Sequence, residues 1–113
     1  MRLVLTALAL TFAVPVAAHA ASYDCARAKA PDEKAICAYL PLNDKDVRMS
    51  VLYEINKRTL AMGGRGAMMD QQQQWLRDRR KCGANRACLT RAYDRRLDEL
   101  ERSLERVYRN GPF

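Results

Sequence analysis

Four cysteines stand behind an apolar N-terminal leader, and this pairing restricts the chain more than any other feature. The leader opens on Arg2, continues through an apolar run from Leu3 to Val14, and reaches Pro15 and then Ala18-His19-Ala20. Small residues at Ala18 and Ala20 match what a signal peptidase accepts, so residues 1–20 are expected to be a signal peptide cleaved after Ala20. The apolar run is too short to span a bilayer comfortably, so no membrane-spanning anchor is expected. No cysteine stands at the cleavage point to carry a lipid. The expected location is periplasmic or secreted, where cysteines oxidise to cystines.

Cleavage leaves residues 21–113, enough for one small domain, with 19 basic residues against 13 acidic ones. A small domain gains most from crosslinks, because its core is limited. The basic excess lies late: residues 77–109 hold eleven Lys or Arg and six Asp or Glu. A positive field favours anionic partners such as envelope polymers or acidic lipids, although mixed charges also suit a solvated helix face. The only histidine, His19, falls in the leader. The mature chain therefore lacks an imidazole for nucleophilic catalysis or a zinc site, and oxidised cysteines supply neither. No catalytic residue, cofactor or metal is expected. Paired acids such as Asp98 and Glu101 have basic neighbours and read as solvated. Export argues against a nucleic-acid partner.

Apolar periodicity predicts helices only. Residues 22–30 read as an irregular lead-in. Pro31 with Asp32 and Glu33 marks a short helix over 31–39, broken by Pro41. A long helix is expected over 42–62, with Leu42, Met49, Leu52, Tyr53 and Leu60 facing inward and Val51 and Ile55 widening the stripe. Gly63-Gly64-Arg65-Gly66 is expected to end it. A third helix over 67–81 places Met68, Gln72, Trp75, Leu76 and Arg79 on one face. Cys82–Asn85 forms a turn, with Asn85 capping a last helix over 86–109. That helix carries the clearest seam: Leu89, Tyr93, Leu97, Leu100, Leu104 and Val107. Asp98 with Arg102 and Glu105 with Arg109 are favourable i,i+4 pairs outside it. The expected fold is all-α, a small disulfide-braced bundle of three to four helices. Four cysteines allow three pairings. Geometry favours the local pairs Cys25–Cys37 and Cys82–Cys88, while a link between helices such as Cys37 with Cys88 stays open.

Several motifs fall in one register. They are Tyr23-Asp24-Cys25-Ala26, Pro31-Asp32-Glu33-Lys34-Ala35-Ile36-Cys37-Ala38, and Leu42, Asp46, Met49, Leu52 and Tyr53. Gln72-x-x-Trp75-Leu76-x-x-Arg79-x-x-Cys82-Gly83 and Ala87-Cys88-Leu89-x-x-x-Tyr93-x-x-Arg96-Leu97 follow. With them the chain resembles, over residues 23–100, the N-terminal domain of the LprI-type lysozyme inhibitors, a group of small secreted bacterial proteins. It departs from that pattern at Tyr39-Leu40-Pro41-Leu42, where the family tends to Asp-Pro-Glu-Leu, and at Lys45, where the family favours an apolar residue. The resemblance implies a small helical fold and the two local cystines.

It also implies lysozyme, or another peptidoglycan hydrolase, as partner. Inhibition would work by occlusion, with Arg79, Arg80, Lys81, Asn85 and Arg86 around the last turn as the candidate binding residues. A non-inhibitory module for anionic envelope components is the alternative. Trp75, Gln72, Tyr53, Tyr93, Leu89 and Leu97 read as structural core, with Gln72 and Arg79 placed to hydrogen-bond across the packing towards Asp46.

Overall fold

A computed structural model describes residues 21–111. The expected signal segment, residues 1–20, and Pro112 lie outside the described residues. A 3-10 turn at Cys25–Arg27 leads into α1 (Pro31–Ala38), α2 (Leu40–Thr59), α3 (Met62–Lys81) and α4 (Arg86–Asn110), with no strand among the described residues. The helices form a small bundle braced by Cys25–Cys37 and Cys82–Cys88, with Cα–Cα separations of 5.8 and 5.5 Å. No described cysteine is free, so the crosslink between helices is excluded. No described helix is long and apolar enough to cross a membrane.

α1 begins at Pro31, whose missing N–H would be unsatisfied in a first turn anyway. Tyr39 is extended, and its carbonyl accepts from the amides of Leu42 and Asn43. Pro41 therefore sits in the first turn of α2 and does not separate the helices. The long helix starts at Leu40, two residues earlier than expected, because proline is tolerated in that turn.

The glycine run departs further from expectation. The break lies at Leu60 and Ala61, both extended, and Gly63, Gly64 and Gly66 belong to the first turns of α3. Of the described glycines only Gly83 has positive φ, at 54°. Leu60 packs against the core, which turns the chain before the glycines are reached. The glycines then follow helical dihedrals at a cost of about 1 kcal/mol each relative to alanine. Gly83 ends α3, where a left-handed residue frees the amide to return to the Arg80 carbonyl, 3.1 Å away. Asn85 caps α4 as expected, its Oδ1 accepting from the Cys88 amide at 2.9 Å.

α4 lies along α2; α2 also packs on α1 and α3, and α4 packs on α3. Ile36, Leu42, Met49, Met68, Leu89, Tyr93, Leu97 and Leu100 form the core, with Tyr53 and Trp75 partly buried against it. The α4 seam faces inward throughout, apart from a half-buried Val107. The Asp98–Arg102 and Glu105–Arg109 pairs form outside it. Val51 and Ile55 do not widen the buried stripe of α2; they are 54% and 37% exposed. The polar residues Asp46 and Asn56 take the inward positions instead. Asn56 Nδ2 donates to the Leu100 carbonyl at 3.1 Å, joining α2 to α4.

Each cystine closes a short loop, of 12 and 6 residues' separation. Replacing either pair by alanines is expected to remove about 2–3 kcal/mol of stability. Urea unfolding checks this as a lower midpoint.

Candidate functional site

Arg79 was the first of the candidate binding residues, and the structure corrects that placement: it is 5% exposed. Its Nε donates to Asp32 Oδ2 at 2.9 Å, and its Nη1 to the Tyr93 hydroxyl at 3.2 Å. The Tyr93 hydroxyl in turn donates to Asp46 Oδ1 at 2.7 Å, an oxygen that lies 3.8 Å from Arg79 Nη1. The second oxygen of Asp46 accepts from the Ser22 amide at 2.7 Å. One cation thus sits between two carboxylates, and a hydroxyl and an amide supply the remaining donors. The cluster reaches α1, α2, α3, α4 and the lead-in. Tyr23 and Trp75 stack over the guanidinium, 5.8 and 5.7 Å away by ring centroid. The expected link from Arg79 towards Asp46 is present, with Asp32 as an additional and closer partner.

Burial pushes the Tyr93 hydroxyl well above the ordinary tyrosine value, and Asp46 adds to it against an opposing effect of Arg79. Tyr23 is raised in the same sense, by burial first and then by Asp46. Both stay protonated through neutral pH, as the donor role of Tyr93 requires.

Arg96 is the second buried cation, 1% exposed. Its Nε donates to Gln72 Oε1 at 2.9 Å and its Nη1 to Glu99 Oε2 at 3.1 Å. Gln72 is thereby engaged within the interior, as its core assignment implies, but with Arg96 and Met49 and not in the expected direction of Asp46. Tyr93, Leu89 and Leu97 are buried, also as expected.

The surface site lies between α3 and α4. Trp75 Nε1 donates to the Ala92 carbonyl at 3.0 Å, and its ring meets Tyr93 edge-on at 4.9 Å between centroids. This wedge holds the helices apart along a groove of about 650 Å³ floored by Met68, Trp75 and Ala92, with Cys82 and Cys88 also lining it. Gln71, Gln74 and Lys81 line the α3 side; Arg95, Arg102 and Arg106 line the other. Several of its charges are neutralised locally: Lys81 pairs with Asp78, Arg96 with Glu99 and Arg102 with Asp98. Arg95 and Arg106 have no ion-pair partner among the described residues. Position alone gave no sign of them. Their one signal in the sequence was the basic surplus of the last helix.

The other candidates on the turn do not form one patch. Lys81 lines the groove, whereas Arg80 lines a separate hollow beside Tyr23 and Tyr53. Arg86 stacks over Tyr39 at 4.2 Å, bracing the turn against the α1–α2 junction. The Asn85 side chain is committed to its cap.

No group of three or more His, Cys, Asp or Glu able to hold a metal exists among the described residues. Asp98 pairs with Arg102 and Glu101 with Arg48, and neither lies in an enclosed site. The arrangement offers shape, hydrogen-bond donors and positive charge. Compared with family models, curated proteins and solved structures, the chain matches none.

Arg79→Ala leaves Asp32 and Asp46 buried without their cation and is expected to cost about 3–5 kcal/mol, measured by chemical unfolding. Alkaline pH acts through the tyrosines. Their hydroxyls are held above the value of 10.0 expected in the unfolded chain, so the unfolded state releases protons first as pH rises. The stability from burying neutral Tyr23 and Tyr93 is intact below pH 10.0 and declines above it. Phenolate absorbance of these two tyrosines should appear together with loss of helical circular dichroism.

Proposed function

We propose that this protein is exported to the bacterial envelope and acts there by contact, occluding a peptidoglycan hydrolase without chemistry of its own. The observation that carries this reading is the α3–α4 groove. It runs from the cystine-pinned turn along α3 and α4, and two of its arginines, Arg95 and Arg106, lack an ion-pair partner among the described residues. Glycoside hydrolases work with paired carboxylates in a cleft. A surface that carries guanidinium groups along α4, from Arg95 near a rigid turn to Arg106 about 27 Å beyond Cys88, suits an elongated cleft. The cystine, the Asn85 cap and the Arg86–Tyr39 stack limit the freedom lost on binding. The motif resemblance to LprI-type inhibitors points to the same class of target. The mature net charge of +6 favours an acidic hydrolase over a basic one, because like charge slows encounter.

A second reading rests on the same arginines: the groove holds an anionic envelope polymer, with Arg95, Arg102 and Arg106 spaced along one wall of α4. Binding by such a charged wall weakens steeply with salt, because exposed charges are screened over about 8 Å at physiological ionic strength. Occlusion by a shaped, partly desolvated surface is less salt-sensitive.

The oxidised mature protein is expected to inhibit an acidic lysozyme more strongly than a basic one. Arg95→Glu with Arg106→Glu should raise the inhibition constant about tenfold or more with the fold unchanged. Lack of inhibition of either enzyme, together with salt-steep binding to an anionic wall polymer, would establish the second reading in place of the first.

A further inference from the structure

The outer face of α2 is apolar, and no described element covers it. Leu40, Val47, Val51 and Ile55 are 69%, 41%, 54% and 37% exposed. At about 100° per residue all of them lie within roughly 40° of Val51, a stripe about 22 Å long. The core residues Leu42, Met49 and Tyr53 face the other way. Single exposed aliphatic residues are ordinary on a protein surface, but an aligned stripe on one helix is characteristic of a contact surface. None of its residues lines the α3–α4 groove.

The charges on the stripe specify its occupant. Asp44 and Arg58 lie on the same line, at equal distances before and after Val51, and both are exposed. Neither has an ion-pair partner among the described residues. A second copy packed antiparallel, with the two-fold axis at Val51, brings Asp44 of each copy against Arg58 of the other. It also sets Val47 level with Ile55 of the other copy, on either side of the paired Val51 residues. A parallel arrangement opposes Asp44 to Asp44 and Arg58 to Arg58, which is unfavourable. A two-fold contact must be complementary to itself, and this stripe is so in the antiparallel sense only.

We propose that this face of α2 forms an isologous antiparallel homodimer. A single helix pair buries less than the roughly 1,200–2,000 Å² of a stable complex, so the dimer is weak and reversible, with a dissociation constant between about 1 µM and 1 mM. The pair leaves both α3–α4 grooves open, giving two contact surfaces per particle.

Sedimentation of the oxidised mature protein is expected to show a concentration-dependent monomer–dimer equilibrium. Val51→Glu should abolish it without changing the helical spectrum, and Arg58→Asp should weaken it about fivefold or more. Asp44→Arg combined with Arg58→Asp should restore it. Val51→Cys, mildly oxidised, should yield a dimer linked through Cys introduced at that position, identified by peptide mass mapping. A species monomeric up to about 1 mM overturns the proposal. So does a dimer that survives Val51→Glu, or one that yields no crosslink through the introduced thiol on oxidation.

Discussion

A single guanidinium holds this bundle in register. Arg79 comes from α3, Asp32 from α1, Asp46 from α2 and Tyr93 from α4, and the Ser22 amide arrives from the lead-in. Two carboxylates and a guanidinium removed from water carry a large desolvation penalty, so the cluster is not a simple source of stability. Its contribution is specificity. Each partner is satisfied in one arrangement of the helices, and a helix rotated or shifted by a turn leaves a buried charge unmatched. The aliphatic core alone tolerates such shifts more readily. Arg96 with Gln72 repeats the device further along α3 and α4.

The cystines serve the same geometry from outside. Cys25–Cys37 binds the lead-in to α1, next to the position where Ser22 meets Asp46 and the Tyr23 hydroxyl meets the Glu33 carbonyl. Cys82–Cys88 fixes the angle at which α4 leaves α3, and so the width of the groove that Trp75 wedges open. The same residues that hold the interior together therefore shape the surface. Charge is divided accordingly. Of the basic residues in the second half of the chain, Arg79 and Arg96 are spent inside and several more are paired locally. The outward-acting charge is smaller and more localised than composition suggests.

The helices, the two cystines, the Asn85 cap and the α4 seam were legible in the sequence. Each is set by local periodicity or by spacing within a few residues of itself. The residues that escaped are those whose roles depend on distant partners. Arg79 reads both as a packing partner of Asp46 and as a turn cation open to a partner, but its closer link to Asp32, 47 positions away, was not foreseen. Asp32 looked like an ordinary first-turn acid. Gly63 to Gly66 suggested a turn, because glycine permits one, but Leu60 anchored the chain in the core first. Val51 and Ile55 were read as inward because they are apolar, whereas Asp46 and Asn56 hold the inward positions through hydrogen bonds that only the folded structure supplies. The groove was invisible for the same reason, being a gap between two helices.

Native-state hydrogen exchange tests most directly whether the buried cation makes these segments one cooperative unit. Amides in the middle of α1, α2, α3 and α4 are expected to exchange with a common free energy equal to that of global unfolding, and with the same denaturant dependence. Exchange of α1 through a separate, low-energy opening, while α2 to α4 remain protected, would contradict this account of the fold.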